Sequence, residues 1–80
     1  MDNTTNLTNN EVRALINSRI KNEDLTRCAE IFEHSYNYLA QVKMGHRENR
    51  QMLEDLLTTI SNREQMEKMM INRRKKQLAS

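Results

Sequence analysis

Proline is absent from these 80 residues, glycine occurs once, and aromatic side chains make up only 4%. With so little turn chemistry, the chain cannot supply the repeated tight turns of sandwiches and barrels, or a glycine-rich loop around a phosphate. One cysteine, Cys28, cannot staple a small secreted fold, which points to a reducing, cytoplasmic setting. Long hydrophobic runs are missing as well, and nothing approaches the ~18 to 20 apolar residues of a membrane span. The opening Met1-Asp2-Asn3-Thr4-Thr5 lacks the cationic and apolar blocks of a secretory signal. Charge of one sign does not dominate either: 13 Lys and Arg stand against 11 Asp and Glu, a net +2.

What remains is a polar, helix-forming chain with 36% apolar residues, enough for one domain. A single core of this size rarely supplies more than ~3 to 5 kcal/mol of net stability. Its only large rings are Phe32, Tyr36 and Tyr38, and six methionines supply much of the other bulk. Such a chain is expected to borrow buried surface from a second copy or a partner protein, so a homo-oligomer is expected.

Residues 1–7 read as a polar tail, including the Asn-x-Thr patterns at Asn3 and Asn6. The spacing predicts one helical domain over 8–77, with 78–80 frayed. Thr8-Asn9-Asn10-Glu11 is a capping box, and Leu7 and Val12 occupy hydrophobic-staple positions. Val12, Leu15, Ile16 and Ile20 then form one helical stripe, which Arg13 largely avoids, over roughly 9–21. Lys21-Asn22-Glu23-Asp24 reads as a junction, with Asn22 the expected cap of the next helix.

From Leu25 a three-four rhythm runs through Cys28, Phe32, Ser35, Leu39 and Val42. It stays in phase past Gly45 through His46, Asn49, Leu53, Leu56 and Ile60 to Arg63, Glu67 and Met70. Gly45 suits a left-handed helix cap, so a hairpin there is one reading. The unbroken phase supports the other, a coiled-coil rod from Leu25 to Gln77 about 80 Å long. Under either, the fold class is all-α: a short capped helix, then two longer amphipathic helices. Leu25, Phe32, Leu39, Leu53, Leu56 and Ile60 are expected to hold an oligomer together.

Residues 1–62 carry 7 basic and 9 acidic side chains, and residues 63–80 carry 6 and 2, so the C-terminal end is the cationic one. Arg73-Arg74-Lys75-Lys76 could grip phosphates by counterion release, or dock an acidic protein surface. No aromatic is interleaved with the cluster, which weakens any single-strand stacking role. Beside it lie Met66, Met69, Met70 and Ile71, pliable side chains of the kind found on adaptable docking faces.

Catalytic and metal chemistry lack their parts. Cys28, His34 and His46 are the only soft ligands, too few for a tetrahedral zinc site, and His46 reads as an exposed bend. No base and orienting carboxylate accompany Cys28. Glu64 with Lys68, and Glu23 with Arg27, read as surface ion pairs. No cofactor, no metal and no enzymatic activity are expected. Small size, many asparagines and absent proline resemble in composition the accessory proteins of phages and other compact genomes, though no residue motif carries that likeness. The expected function is a non-enzymatic interaction protein, an adaptor, inhibitor or scaffold, which self-associates and binds a protein partner. Its contact residues would be Met66, Met69, Met70, Arg73, Arg74, Lys75 and Lys76. The alternative is a nucleic-acid-associated protein gripping backbone phosphates with that basic end.

Overall fold

The computed structural model describes the backbone of residues 6–79 and the side chains of residues 6–73. Among these residues four helices follow one another: α1 (Asn9–Arg19), α2 (Asn22–Ile31), α3 (Tyr36–Met44) and α4 (Arg50–Ala79). No strand occurs among the described residues. The helix expected to run unbroken from Leu25 to Val42 is in fact two, and the 53-residue rod does not form.

Each boundary has a local cause. At the start of α1, the Glu11 amide donates to Thr8 Oγ1 at 3.2 Å, and the Thr8 amide donates back to Glu11 Oε1 at 3.0 Å. Leu7 packs half-buried against the core as the staple requires, so it belongs to the domain rather than to a tail. Residues 1–5, the rest of that expected tail, lie outside the described residues. For α2 the cap is Lys21 rather than Asn22, with the Lys21 amide donating to Asp24 Oδ2 at 2.9 Å. Asn49, which fell on the predicted seam, caps α4 instead, its Oδ1 accepting from the Met52 amide at 3.1 Å.

The C-termini of α2 and α3 close alike. After α3, Gly45 takes a φ of 92°, and two amides turn back, His46 to the Gln41 carbonyl and Gly45 to that of Val42. This is a Schellman motif, and it selects the hairpin at Gly45 over the rod. After α2 the His34 amide reaches the Ala29 carbonyl at 2.9 Å, with Glu33 in the left-handed position at φ 57°. Ser35 then caps α3, accepting from the Tyr38 amide at 3.4 Å. A glutamate serving where glycine usually does is why periodicity alone missed this break.

α4 is the spine, and the three short helices pack around its first half. The core consists of Val12 and Ile16 from α1, Cys28 from α2, Leu39 and Val42 from α3, and Met52, Leu53, Leu56, Leu57 and Ile60 from α4. Leu15, expected in the α1 stripe, is instead 38% exposed, while Arg13 is buried. Arg13 earns that place through hydrogen bonds: its Nε donates to the Val42 carbonyl at 3.0 Å and its Nη2 to Glu48 at 3.0 Å. A guanidinium there satisfies a carbonyl in the last turn of α3 and meets the negative end of its dipole. The molecule measures 50 × 26 × 18 Å, its long dimension close to the ~45 Å length of a 30-residue helix.

Candidate interaction surface

Four of the six predicted seam residues, Leu39, Leu53, Leu56 and Ile60, have no exposed surface, and Leu25 and Phe32 pack half-buried against them. These side chains meet one another within one chain. Leu39, Leu53, Leu56 and Ile60 cannot reach a second copy unless the first unfolds. The apolar surface left for other molecules lies elsewhere.

The core stripe of α4 stops at Arg63, whose side chain is 5% exposed. Its Nε donates to both oxygens of Asp24, at 2.9 and 3.1 Å, and Asp24 is fully buried. Nη1 donates to Glu67 at 2.8 Å and Nη2 to the Arg19 carbonyl at 2.9 Å. Arg63 therefore ties α4 to the junction between α1 and α2. Flanking it, Arg19 Nε donates to Glu64 at 3.1 Å, and Lys21 Nζ reaches Glu67 at 3.4 Å. Glu64 thus hydrogen-bonds across helices to Arg19, and the Lys68 charge expected beside it along α4 adds a smaller attraction. Hydrogen bonds from these cations, Arg19 to Glu64 and Arg63 to Glu67, hold both carboxyls below their ordinary range.

The cross-helix pairs give the direction of packing. Lys21 meets Glu67, Asp24 meets Arg63, and His34 meets Asp55, with His34 Nε2 at 2.8 Å from Asp55 Oδ2. Numbers rise along α2 as they fall along α4, so the two helices are antiparallel. Between them opens a groove of about 360 Å³, walled by Arg27, Ile31 and Phe32 on one side and Thr59, Asn62, Arg63 and Met66 on the other. Ile31 is 62% exposed on its rim, a surface residue that the seam pattern passed over.

Past Glu67, α4 projects as an arm. Every described residue from Lys68 to Arg73 is exposed, including Met69, Met70 and Ile71, and Met66 stands exposed at its root. Arg73 is the exposed start of the basic cluster; the side chains of Arg74, Lys75 and Lys76 lie outside the described ones. From position 68 onward the chain carries five basic residues and no acidic one. The structure thus gathers Met66, Met69, Met70 and Arg73 onto one projecting helix, beside a groove whose wall Met66 shares.

Cys28 has no such access. It is fully buried, and burial pushes its thiol above the ordinary range, Thr59 only partly offsetting this. Among the described residues no cluster of three His, Cys, Asp or Glu side chains could hold a metal, and no helix is long and apolar enough to cross a membrane. No protein-family model matches the chain, and neither a curated protein nor a solved structure is significantly similar to it.

Proposed function

We propose that this is a small non-enzymatic interaction protein, of the adaptor, inhibitor or scaffold type, whose binding element is the projecting end of α4. The observation that supports it is the change along that helix. Its apolar side chains are buried as far as Ile60, and past the Arg63 clamp Met66, Met69, Met70 and Ile71 are each at least 50% exposed. An apolar strip on an arm that the chain's own body leaves uncovered is a surface made for another macromolecule. Methionine suits this use, since its flexible thioether adapts to varied partners. Arg73 and the cations after it bias the choice toward an acidic protein surface.

The test places a photo-crosslinking side chain at position 69 of the full chain in its source cells, with an exposed control position at Ser18. Protein adducts that come from position 69, survive nuclease and are absent from position 18 are the expected result. Equal adducts from both positions, or none from position 69, would overturn it. The density of cations after Lys68 favours a second reading, contact with nucleic-acid phosphates. That reading requires nuclease-sensitive adducts, and an affinity whose log–log salt slope is about −3 to −4 for four phosphate contacts.

A further inference from the structure

The arm and the groove beside it have complementary chemistry, and one chain carries both. Resting on the reading of α4 as the binding element, we infer that its partner is a second copy of this chain, in a reciprocal dimer where each arm lies in the other's α2–α4 groove. Charge is the first ground. Residues 1–67 hold 8 basic and 11 acidic side chains, a net −3, and residues 68–80 hold five basic and no acidic ones, a net +5. Part of that acidic excess lies at the end of α2: Glu30 and Glu33 are exposed there and, among the described residues, neither forms an ion pair.

Register is the second ground. Asp24 sits beside position 63 of α4 and His34 beside position 55, so Glu30 and Glu33 lie at the level of positions 56 to 58. Let two α4 helices cross antiparallel with their Met66 residues at the two-fold axis. Position 70 of each then falls at the level of the other's groove, between Thr59 and Met66. Positions 73 to 76 fall at the level of the other's Glu30 and Glu33. One placement therefore brings methionine to Ile31 and Phe32 and cations to free carboxylates, and the two-fold axis repeats it.

Area is the third. Ile31, Met66, Met69 and Met70 are 62%, 62%, 50% and 55% exposed. At roughly 100 Å² apiece they contribute roughly 800 Å² of apolar surface from two copies. The rim of Arg27, Glu30, Glu33 and Arg73 brings the total into the range of about 1,200–2,000 Å² typical of specific interfaces.

Sedimentation equilibrium of the full chain tests this with two single variants. Ile31→Arg places a cation in the groove against the cationic arm, and Met70→Glu places an anion on the arm. Both sites are more than half exposed, so helicity by circular dichroism should stay at the wild-type level. Wild type should dimerise with rising concentration, less so at high salt, and each variant alone should be weakened at least about tenfold. Their equimolar mixture should recover a dimer, because it joins an intact arm to an intact groove and sets Met70→Glu against Ile31→Arg. Glu30→Lys combined with Glu33→Lys should repeat the loss without touching an apolar contact. A wild type that is monomeric at every soluble concentration, variants that dimerise as wild type does, or a mixture that stays monomeric would each overturn the dimer. If position 69 still crosslinks a different protein while the chain stays monomeric, the second copy is refuted and the arm as binding element stands. Nuclease-sensitive adducts alone refute both.

Discussion

Removing the guanidinium of Arg63 should do more damage than removing any other charged group. Asp24 is fully buried, and both its oxygens accept from Arg63 Nε, with the Lys21 amide as its other donor. Arg63→Ala leaves that carboxylate buried without its counter-charge, a situation that costs about 3–5 kcal/mol. It also frees the Arg19 carbonyl from its donor and leaves Glu67 Oε1 with Lys21 Nζ alone, although both lie nearer to water. A core of this size rarely supplies more than ~3 to 5 kcal/mol in all, so the variant should be largely unfolded at 25 °C. Replacing both partners is a different case. Arg63→Met with Asp24→Leu buries two apolar side chains and no charge, so it should fold and melt close to wild type.

Urea titration followed by circular dichroism gives the free energies, and Cys28 gives a second readout. The thiol is fully buried on the same helix as Asp24, and burial holds it protonated, so a disulfide reagent reaches it only when α2 opens. At about 1.4 kcal/mol per factor of ten, a loss of 3 kcal/mol should speed its labelling by roughly 10²-fold. An Arg63→Ala variant within 1 kcal/mol of wild type, or a double variant no more stable than the single, would refute the clamp as the element holding α2 to α4.

Other expectations follow from single contacts and can be read by urea or thermal melts at low protein concentration. Leu56→Ala removes a fully buried side chain at the centre of the core and should cost about 2–5 kcal/mol. In Gly45→Ala the nearest atom to the new methyl is Arg13 Nε at 3.7 Å, an ordinary contact, so the positive φ sets the penalty, about 1–2 kcal/mol. Glu33→Gly should instead raise stability by about 1 kcal/mol, because glycine relieves the left-handed strain after α2. Acid should destabilise: hydrogen bonds from Arg19, Arg63, Asn9 and Thr8 lower the carboxyls of Glu64, Glu67, Glu48 and Glu11 from an ordinary value of 4.5. Depressed carboxyls bind fewer protons folded than unfolded, so their contribution is complete above pH 4.5 and is lost as pH falls below it. A melting temperature that does not fall there would contradict the pairings.

The start of α1 and the Gly45 turn were legible because each is written within a few residues: a Thr and a Glu three apart, one glycine, one staple leucine. The break after Phe32 was hidden because its left-handed residue is a glutamate and Leu39 happens to resume in phase. Phase preservation across Gly45 proved equally uninformative; two helices that face one core from either side of a turn each carry the same apolar spacing as one continuous helix. The seam's turn to charge at Arg63 and Glu67 was visible, but not what those charges pair with. Only the fold brings Asp24 and the Arg19 carbonyl to that position, from residues 39 and 44 places away. The groove wall at Ile31 was missed for a related reason, since its value comes from Met66 across the gap.

That clamp also explains why one helix carries two kinds of surface. Helices α1, α2 and α3 have 11, 10 and 9 residues, each about 14–17 Å long, and so can cover only part of a ~45 Å spine. Where they cover it, α4 uses Leu53, Leu56, Leu57 and Ile60, branched side chains of defined shape that fit a fixed core, beside one methionine, Met52. Where they do not, its apolar residues are mostly methionine, which holds no fixed shape and tolerates a partner that comes and goes. Had the arm served only solubility, Met66, Met69 and Met70 would be expendable, and glutamine or lysine would keep the helix at least as well. Three exposed methionines with a clamp at their root therefore mark where intramolecular folding ends, and they are the surface on which the proposed association with another chain rests.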